Sequence, residues 1–449
     1  MSDTRFSHTQ DFLKSLTQDA LSHARLKGAS ACEVDASEGF GQSVTVRCGE
    51  VETIEYNRDK GLGVTVYVGQ RKGYASTSDF SLRAVQETVE AAINIARFTA
   101  EDDCAGLADP VLMAKNFPDL DLYHPWQRPI EKAIDLAQAC EQAAFERDNR
   151  ISNSEGATVS IQEAHFVAAN STGFVGGYPT SRHYLSCAMI AGEGDNMQRD
   201  AWYSTHRNFA QLAPPEEVGR ITAQRTVARL GSRKIPTCEV PVIFEAPLAS
   251  GLIGSLIHAI SGGSLYRKTS FLVDSLGKQI FPSFIQLSER PHLPGGLASS
   301  SFDNDGVATQ DREVVVDGIL QGYFLSSYTA RKLGMATTGN AGGSHNLILQ
   351  AGPDDLQTLL KKMNRGLLVT ELLGHGINYV TGDYSRGAAG FWVENGEIAF
   401  PVEEITIAGN LREMFQQIVA TGADVYRNSA KQSGSIWIER MKIAGHQGA

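Results

Sequence analysis

GDYSRGAAGFWVENGEIAFPVEEITIAGNL, residues 382–411, decides the fold of the C-terminal half of this chain. Asn395-Gly396 tolerates positive φ at both central positions of a two-residue turn, and alternating apolar residues flank it, so two antiparallel strands meet here. Gly382, Gly387 and Gly390 punctuate the first strand, as a bulge or a close backbone approach requires. These glycines, with Tyr384 and Arg386 between them, are candidate contacts for a substrate or a partner subunit. An extended peptide adding beside a strand edge at this point would be held through backbone hydrogen bonds, with little demand on its side chains. The competing reading is that the glycines bend the strand within a closed barrel.

A second tight turn, Asp317-Gly318, lies between REVVV and ILQGYFLSSY. Residues 239–449 therefore read as a mainly antiparallel sheet or barrel, decorated by helices near 354–363 and 411–419 and ending on the strand SIWIERMKIAG. Toward the N-terminus, two units repeat the order helix, meander, helix. In residues 1–108, Phe12, Leu13, Leu16, Ala20 and Ala24 mark a helix that ends at Gly28. Strands follow through VTVRCGEVETIEYN and GLGVTVYVG. Ser81 then caps a helix with an apolar stripe of Leu82, Val85, Val89, Ala92, Ile93 and Ala96. A proline-punctuated linker spans 109–129. In residues 130–238 a helix from 130 to 145 precedes strands around ATVSIQEAHFVAANSTGF and HYLSCAMIAG, and a helix from 214 to 230 closes the unit. The fold class is α+β, with two N-terminal helix/antiparallel-sheet/helix units and a strand-rich, barrel-like C-terminal domain.

At 449 residues the chain suits roughly three domains. Hydrophobic residues make up 42% and charged residues 20%, as in ordinary globular proteins. With 51 acids against 40 bases, a net charge of −11 and no basic run, the footprint of a nucleic-acid binder is missing. No apolar run is long enough for a membrane helix, and the polar start MSDTRFSHTQDFLKSL has no secretory h-region. Cys32, Cys48, Cys104, Cys140, Cys187 and Cys238 are scattered with no C-x-x-C pair, which fits reduced thiols in a cytoplasmic protein.

The chemistry is marked by absences. EVPVIFE leads at Pro247 into a helix, PLASGLIGSLIHAISGGSLYRK, that carries one histidine, His258, and no acid between Glu245 and Asp274. A histidine on so apolar a helix reads as a core or interface residue. His292, His345 and His375 lack partners at ligand spacing, and His375 reads as a turn residue between two glycines. Neither a G-x-S-x-G elbow nor a phosphate-binding glycine loop occurs. No catalytic and no metal-ligating residue is therefore assigned to this chain. Arg267 and Lys268 form a small basic pair suited to a substrate carboxylate or to an acidic residue of a partner.

Nine strings in order, GEVETIEYN, GLGVTVYVGQRKGYAS, CAGLADP, GGSLYRKTSFLVDSLGKQI, GLASSSFD, SSYTARKLG, GDYSRGAAGFWVENGEI, EITIAGNL and MKIAG, make the chain resemble the PmbA (TldE) branch of the TldD/PmbA peptidase family over nearly its whole length. In that family the TldD-type subunit carries H-E-x-x-x-H on the corresponding helix, two zinc ligands and a general base. Aligned on the Gly-Gly and Arg-Lys landmarks, those positions fall near Gly254, Ser255 and Ala259 here. The resemblance thus implies a cytosolic bacterial subunit with no cofactor of its own, paired with a TldD-type subunit that holds the zinc. It implies peptide substrates: leader segments of modified antibacterial peptides, unfolded chains or antitoxin-type proteins. An older family label, modulator of DNA gyrase, finds no support in the acidic composition as direct DNA binding. The main interface is expected within residues 239–449, where aromatics such as Phe391 and Trp392 gather. The alternatives are a free-standing homodimeric peptide-binding or regulatory protein, or an enzyme of unrecognised chemistry; a neighbouring gene for an H-E-x-x-x-H protein favours the paired subunit over the first of these.

Overall fold

Thr9 accepts a hydrogen bond from the Phe12 amide and starts α1 (Gln10–Leu26), whose Leu13, Leu16, Ala20 and Ala24 face is buried. The computed structural model describes residues 5–445, so 1–4 and 446–449, the outermost residues of the first and last segments read above, lie outside it. β1 (Ala31–Arg47) and β2 (Glu50–Val68) form a long hairpin closed at Cys48-Gly49, where φ is 50° and 82°. β3 (Arg71–Thr77) and α2 (Leu82–Phe98) complete the first unit, and Ser81 caps α2 as expected. Leu82 departs from the expected stripe and is 60% exposed, because it sits in the first turn beyond the covered face. The second unit comprises α3 (Ile130–Arg147), β4 (Ile151–Asn170), β5 (Val175–Gly176), β6 (Pro179–Ala191), β7 (Gln198–His206) and α4 (Pro215–Ala228).

The strands of the two units make one sheet, in the order β3-β2-β1-β4-β6-β7, with β5 on β4. The joint is β1 against β4, antiparallel from Glu33↔Asn170 to Val46↔Ala157. Alternation then fixes the layers. Val34, Ala36, Val44 and Val46 point to one face, where α1 and α2 cover one end and α3 and α4 the other. Phe166 and Ala168 point to the opposite face and pack with Met113, Phe302 and Val307. Residues 109–129 are packed as well: Met113 joins this cluster, Trp126 joins the one beneath α3 and α4, and Leu120 and Leu122 are buried.

The C-terminal region begins with β8 (Cys238–Phe244), α5 (Ala246–Ala259) and α6 (Gly262–Tyr266). It continues through β9 (Leu287–Glu289), β10 (Arg312–Val316), β11 (Ile319–Leu320), α7 (Ser327–Leu333), β12 (Leu347–Leu349) and α8 (Leu356–Met363). Then come β13 (Gly366–Leu373), β14 (Ile377–Asn378), β15 (Asp383–Glu394), β16 (Glu397–Asn410), α9 (Leu411–Gln416), β17 (Ile418–Thr421), β18 (Lys431–Gln432) and β19 (Ile436–Ala444). Strands β13, β8, β19, β16 and β15 form a five-stranded barrel, closed by the pairing of β13 with β15 and antiparallel except where β8 meets β13. Both expected tight turns form, with φ of 50° and 77° at Asp317-Gly318 and 55° and 76° at Asn395-Gly396. The helix expected over 411–419 stops at Gln416 because Ile418 already pairs with Ile438 of β19.

Candidate functional site

The helix on which the resemblance places the metal motif of TldD-type subunits is α5, Ala246–Ala259, and its register decides what it can do. Leu252, Ile253, Leu256 and Ala259 face the core, while Gly251 and His258 are exposed and Gly254 is half-buried. Of the three motif positions, Ala259 is fully buried, Ser255 is buried with its hydroxyl donating to the Gly251 carbonyl at 3.1 Å, and Gly254 faces outward. A Cβ added at Gly254 would meet only Lys431 Cε, 3.9 Å away. An ammonium stem beside the position where a ligand would stand disfavours a bound cation. Among the described residues, no group of three or more His, Cys, Asp and Glu side chains is arranged to share a metal ion. The residues present on this helix do not fit a zinc ion.

His258 is not in the core but exposed on the helix surface, where an interface residue would stand, its ring tilted 34° against Tyr379 with centroids 3.9 Å apart. His375 is exposed, in the loop where its carbonyl accepts from the Ile377 amide. His292 bonds to the Thr309 hydroxyl at 2.9 Å. His345 is buried against Glu289. Arg267 and Lys268 are exposed just beyond α6, where Arg267 donates to the Tyr266 hydroxyl at 3.0 Å and Lys268 adopts φ 55°. The loop that carries Tyr379 meets α5 through His258, and its Tyr379 carbonyl accepts from the Phe271 amide just beyond the basic pair.

The strand with the punctuating glycines is not an edge. Asp383 and Tyr384 pair with β14, Gly387 to Val393 pair with β13, and β16 runs along the other side from Asp383 to Glu394. Both rows of backbone groups are occupied, so strand addition at β15 is overturned in favour of the closed barrel. Gly390 is forced by that closure, since a Cβ there would lie 1.9 Å from the Leu368 carbonyl oxygen. Gly387 is looser, with Leu373 Cβ 3.2 Å away, and Gly382 has φ +85° against the Phe271 ring. Tyr384 is 3% exposed, packed edge-on to Phe244, and burial pushes its phenol up to about 12. It cannot touch a substrate directly. Arg386 is half-buried and its Nε lacks a hydrogen-bond partner. Trp392, expected at an interface, is a core residue, 6% exposed, with its indole donating to Glu394.

Sequence reasoning missed a cleft of about 850 Å³ between the N-terminal sheet and the C-terminal region, lined by Glu33, Tyr67, Lys72, Asp102, Asp305 and Tyr328 among others. Its wall is pinned by Asp102, which accepts from the Tyr328 hydroxyl at 2.7 Å and from Lys332 at 2.9 Å. Burial, reinforced by the Asp305 carboxylate, raises the Glu33 carboxyl to about 7. Because the folded value lies above the unfolded one, Glu33 favours the fold fully at low pH, and that contribution is lost as pH rises from the ordinary carboxylate range through about 7. Glu33→Gln should therefore raise stability at pH 8 by on the order of 1–2 kcal/mol, allowing for partial solvation, and leave it unchanged at pH 4. Denaturant unfolding at the two pH values checks this, and an equal shift at both would contradict it. The signal was present in the alternation of A-C-E-V-D-A, which puts Glu33 on the polar face of β1, but nothing local announced that Asp305 would arrive beside it.

Fold and sequence together define a protein of a metallopeptidase family. Models described as PmbA/TldA metallopeptidase domain 1, central domain and C-terminal domain match residues 32–96, 123–230 and 237–445. Metalloprotease PmbA of Escherichia coli O157:H7 is 50% identical over 417 residues, 93% of either chain. A crystal structure titled as a putative modulator of DNA gyrase from Bacteroides thetaiotaomicron superposes with a TM-score of 0.92 at 29% identity, over 98% of this chain and 100% of that one. TldE from Thermococcus kodakarensis shares the fold, with a TM-score of 0.80 at 21% identity over 96% of this chain and 100% of that one. The chain belongs to the TldD/PmbA family, in its PmbA branch.

Proposed function

We propose that this chain is the non-metal subunit of a TldD/TldE-type heterodimeric peptidase, with the catalytic zinc held by a TldD-type partner. The observation that carries the reading is the register of α5, which presents Gly254, Ser255 and Ala259 at the motif positions and sets Lys431 beside the outermost of them. Hydrolysis at zinc needs three protein ligands and an open position for an activated water, and these side chains supply none of the ligands. The Escherichia coli relative is named a metalloprotease and the Thermococcus kodakarensis structure is named TldE. A subunit that acts beside a metal-bearing partner is consistent with both names.

The surface we assign to the partner or the peptide is the exposed face of α5 with Arg267 and Lys268. Gly251 and Gly254 each cost that helix about 1 kcal/mol relative to alanine, and among the described residues a Cβ at Gly251 would meet nothing within 4 Å. Close approach by another chain gives those glycines a reason. Tyr384 and Gly390 act only through the barrel. The substrates are unfolded peptides, leader segments or antitoxin-type proteins, met in the cytoplasm.

Co-expression with a TldD-type subunit tests the proposal. The two chains should copurify, and only the assembly should cleave peptide in a chelator-sensitive way. Chelator-sensitive cleavage by this chain alone would overturn the reading. Failure of the chains to associate would leave the free-standing peptide-binding protein.

A further inference from the structure

The cleft between the N-terminal sheet and the C-terminal region holds more negative charge than it neutralises. Five acids and two lysines line its volume of about 850 Å³, which is within the range of small-molecule sites. Asp102 is taken up by Lys332 at 2.9 Å and by the Tyr328 hydroxyl at 2.7 Å. Glu33, Glu101, Asp103 and Asp305 are left against Lys72, which is exposed on β3 and offsets them only in part.

Two of these carboxylates are set in place by the fold. β1 holds Glu33 half-buried on the side of the sheet. From the C-terminal side, Asp303 accepts from the Asp305, Val307 and Ala341 amides at 2.9, 3.0 and 2.9 Å, and so fixes the turn that presents Asp305. One Asp305 oxygen accepts from the Ser327 amide at the start of α7, at 2.9 Å. Burial, then the charge of Asp305 and more weakly that of Asp35, push the Glu33 carboxyl up, while Lys72 and the Tyr67 hydroxyl pull it down. Tyr67 is itself left wanting a partner. It is 5% exposed and lines the cleft, yet its hydroxyl lies 3.4 Å from Glu33, beyond the ordinary O–H···O distance.

A primary ammonium supplies what is missing here. It brings three N–H donors, and the Glu33 carboxylate, the second Asp305 oxygen and the Tyr67 oxygen are the acceptors that receive them. A metal ion fits less well, because among the described residues no three His, Cys, Asp and Glu side chains are arranged to share one. A single ammonium still leaves Glu101 and Asp103 unbalanced, which calls for a chain with a second cationic group. We propose that this cleft binds an aliphatic polyamine, with one ammonium among Glu33, Asp305 and Tyr67 and another toward Glu101 and Asp103. The proposal is independent of the metal question, because it rests on the N-terminal sheet and the 303–307 turn and not on α5.

Titration of spermidine into the full chain, followed by isothermal calorimetry, tests it. Binding should saturate at one site and weaken by about tenfold or more in Glu33→Gln and in Asp305→Asn. Lys72→Met removes the resident competing ammonium and should tighten binding several-fold. Glu131→Gln, at an exposed acid in the first turn of α3, should change nothing. At pH 7 the ammonium draws Glu33 toward its ionised form, so binding to wild type should release protons, and binding to Glu33→Gln fewer; buffers of different ionisation enthalpy read this. Asparagine at 305 keeps an oxygen for the Ser327 amide, and circular dichroism melts separate loss of binding from loss of fold. No saturable binding by wild type, equal affinity in wild type and folded Glu33→Gln, or displacement of spermidine by an equal concentration of magnesium would each overturn the proposal.

Discussion

Gly390→Val should abolish the folded C-terminal barrel. The strand β15 is clasped between β13 and β16 at this point, and a Cβ on residue 390 would stand 1.9 Å from the Leu368 carbonyl oxygen and 3.0 Å from Val369 Cα. Both obstacles are backbone, so no side-chain rotation relieves them. Relief requires breaking the pairing that closes the barrel, at a cost of more than about 4 kcal/mol. Gly387→Val is the internal control, three residues away on the same strand. There the nearest atom is Leu373 Cβ at 3.2 Å, a side chain on a partly exposed residue, and the cost should be about 1 kcal/mol. Circular dichroism and denaturant unfolding of the two variants read the difference. Equal effects at the two positions would show that the barrel is not closed through β13 and β15.

Glu289→Gln should be the second severe variant, through charge instead of shape. Glu289 is 1% exposed and gathers Arg312 at 2.6 Å, the His345 amide at 2.7 Å, the His345 ring at 3.1 Å and Asn340 Nδ2 at 2.8 Å. Burial on its own would raise its carboxyl. The bonds from His345 and the charge of Arg312 outweigh that and hold it at about 2. The folded value lies below the unfolded one, so the stabilisation is complete above the ordinary carboxylate range and disappears as pH falls from about 4 toward 2. It amounts to on the order of 3 kcal/mol at neutral pH. Replacing the carboxylate leaves the half-buried Arg312 without its counter-charge, a loss of about 3 kcal/mol at pH 7. Unfolding of wild type and variant from pH 7 down to pH 2 should show the gap closing with acid. A pH-independent gap would mean that geometry, and not ionisation, is what Glu289 contributes.

Local chemistry made much of the fold legible. Asn395-Gly396 and Asp317-Gly318 named their turns, Ser81 named its helix, and the helix after Pro247 announced by its composition that the metal motif was missing. What stayed hidden depended on partners distant in sequence. The two N-terminal units read as separate because nothing in β1 says that β4 will lie against it. The glycines of β15 suggested an edge because a strand sequence does not record whether one neighbour or two will pair with it, and β13 supplies the second. Trp392 read as an interface aromatic because its inward direction follows from the register of the barrel and not from its neighbours. The cleft at Glu33 arises from two segments far apart in the chain, so its raised carboxyl has no local signature. Gly254, Ser255 and Ala259 were placed by landmarks, yet only the helix register separated the outward position from the two buried ones.

As the proposed non-metal subunit, this chain should contribute no metal to the assembled peptidase. Zinc content measured on the chain purified alone and on its assembly with a TldD-type subunit tests it most directly. The expected result is no stoichiometric zinc on the chain alone, one zinc per assembled pair, and chelator-sensitive cleavage in the pair only. One tightly held zinc on the isolated chain, lost on substituting His258, would contradict it.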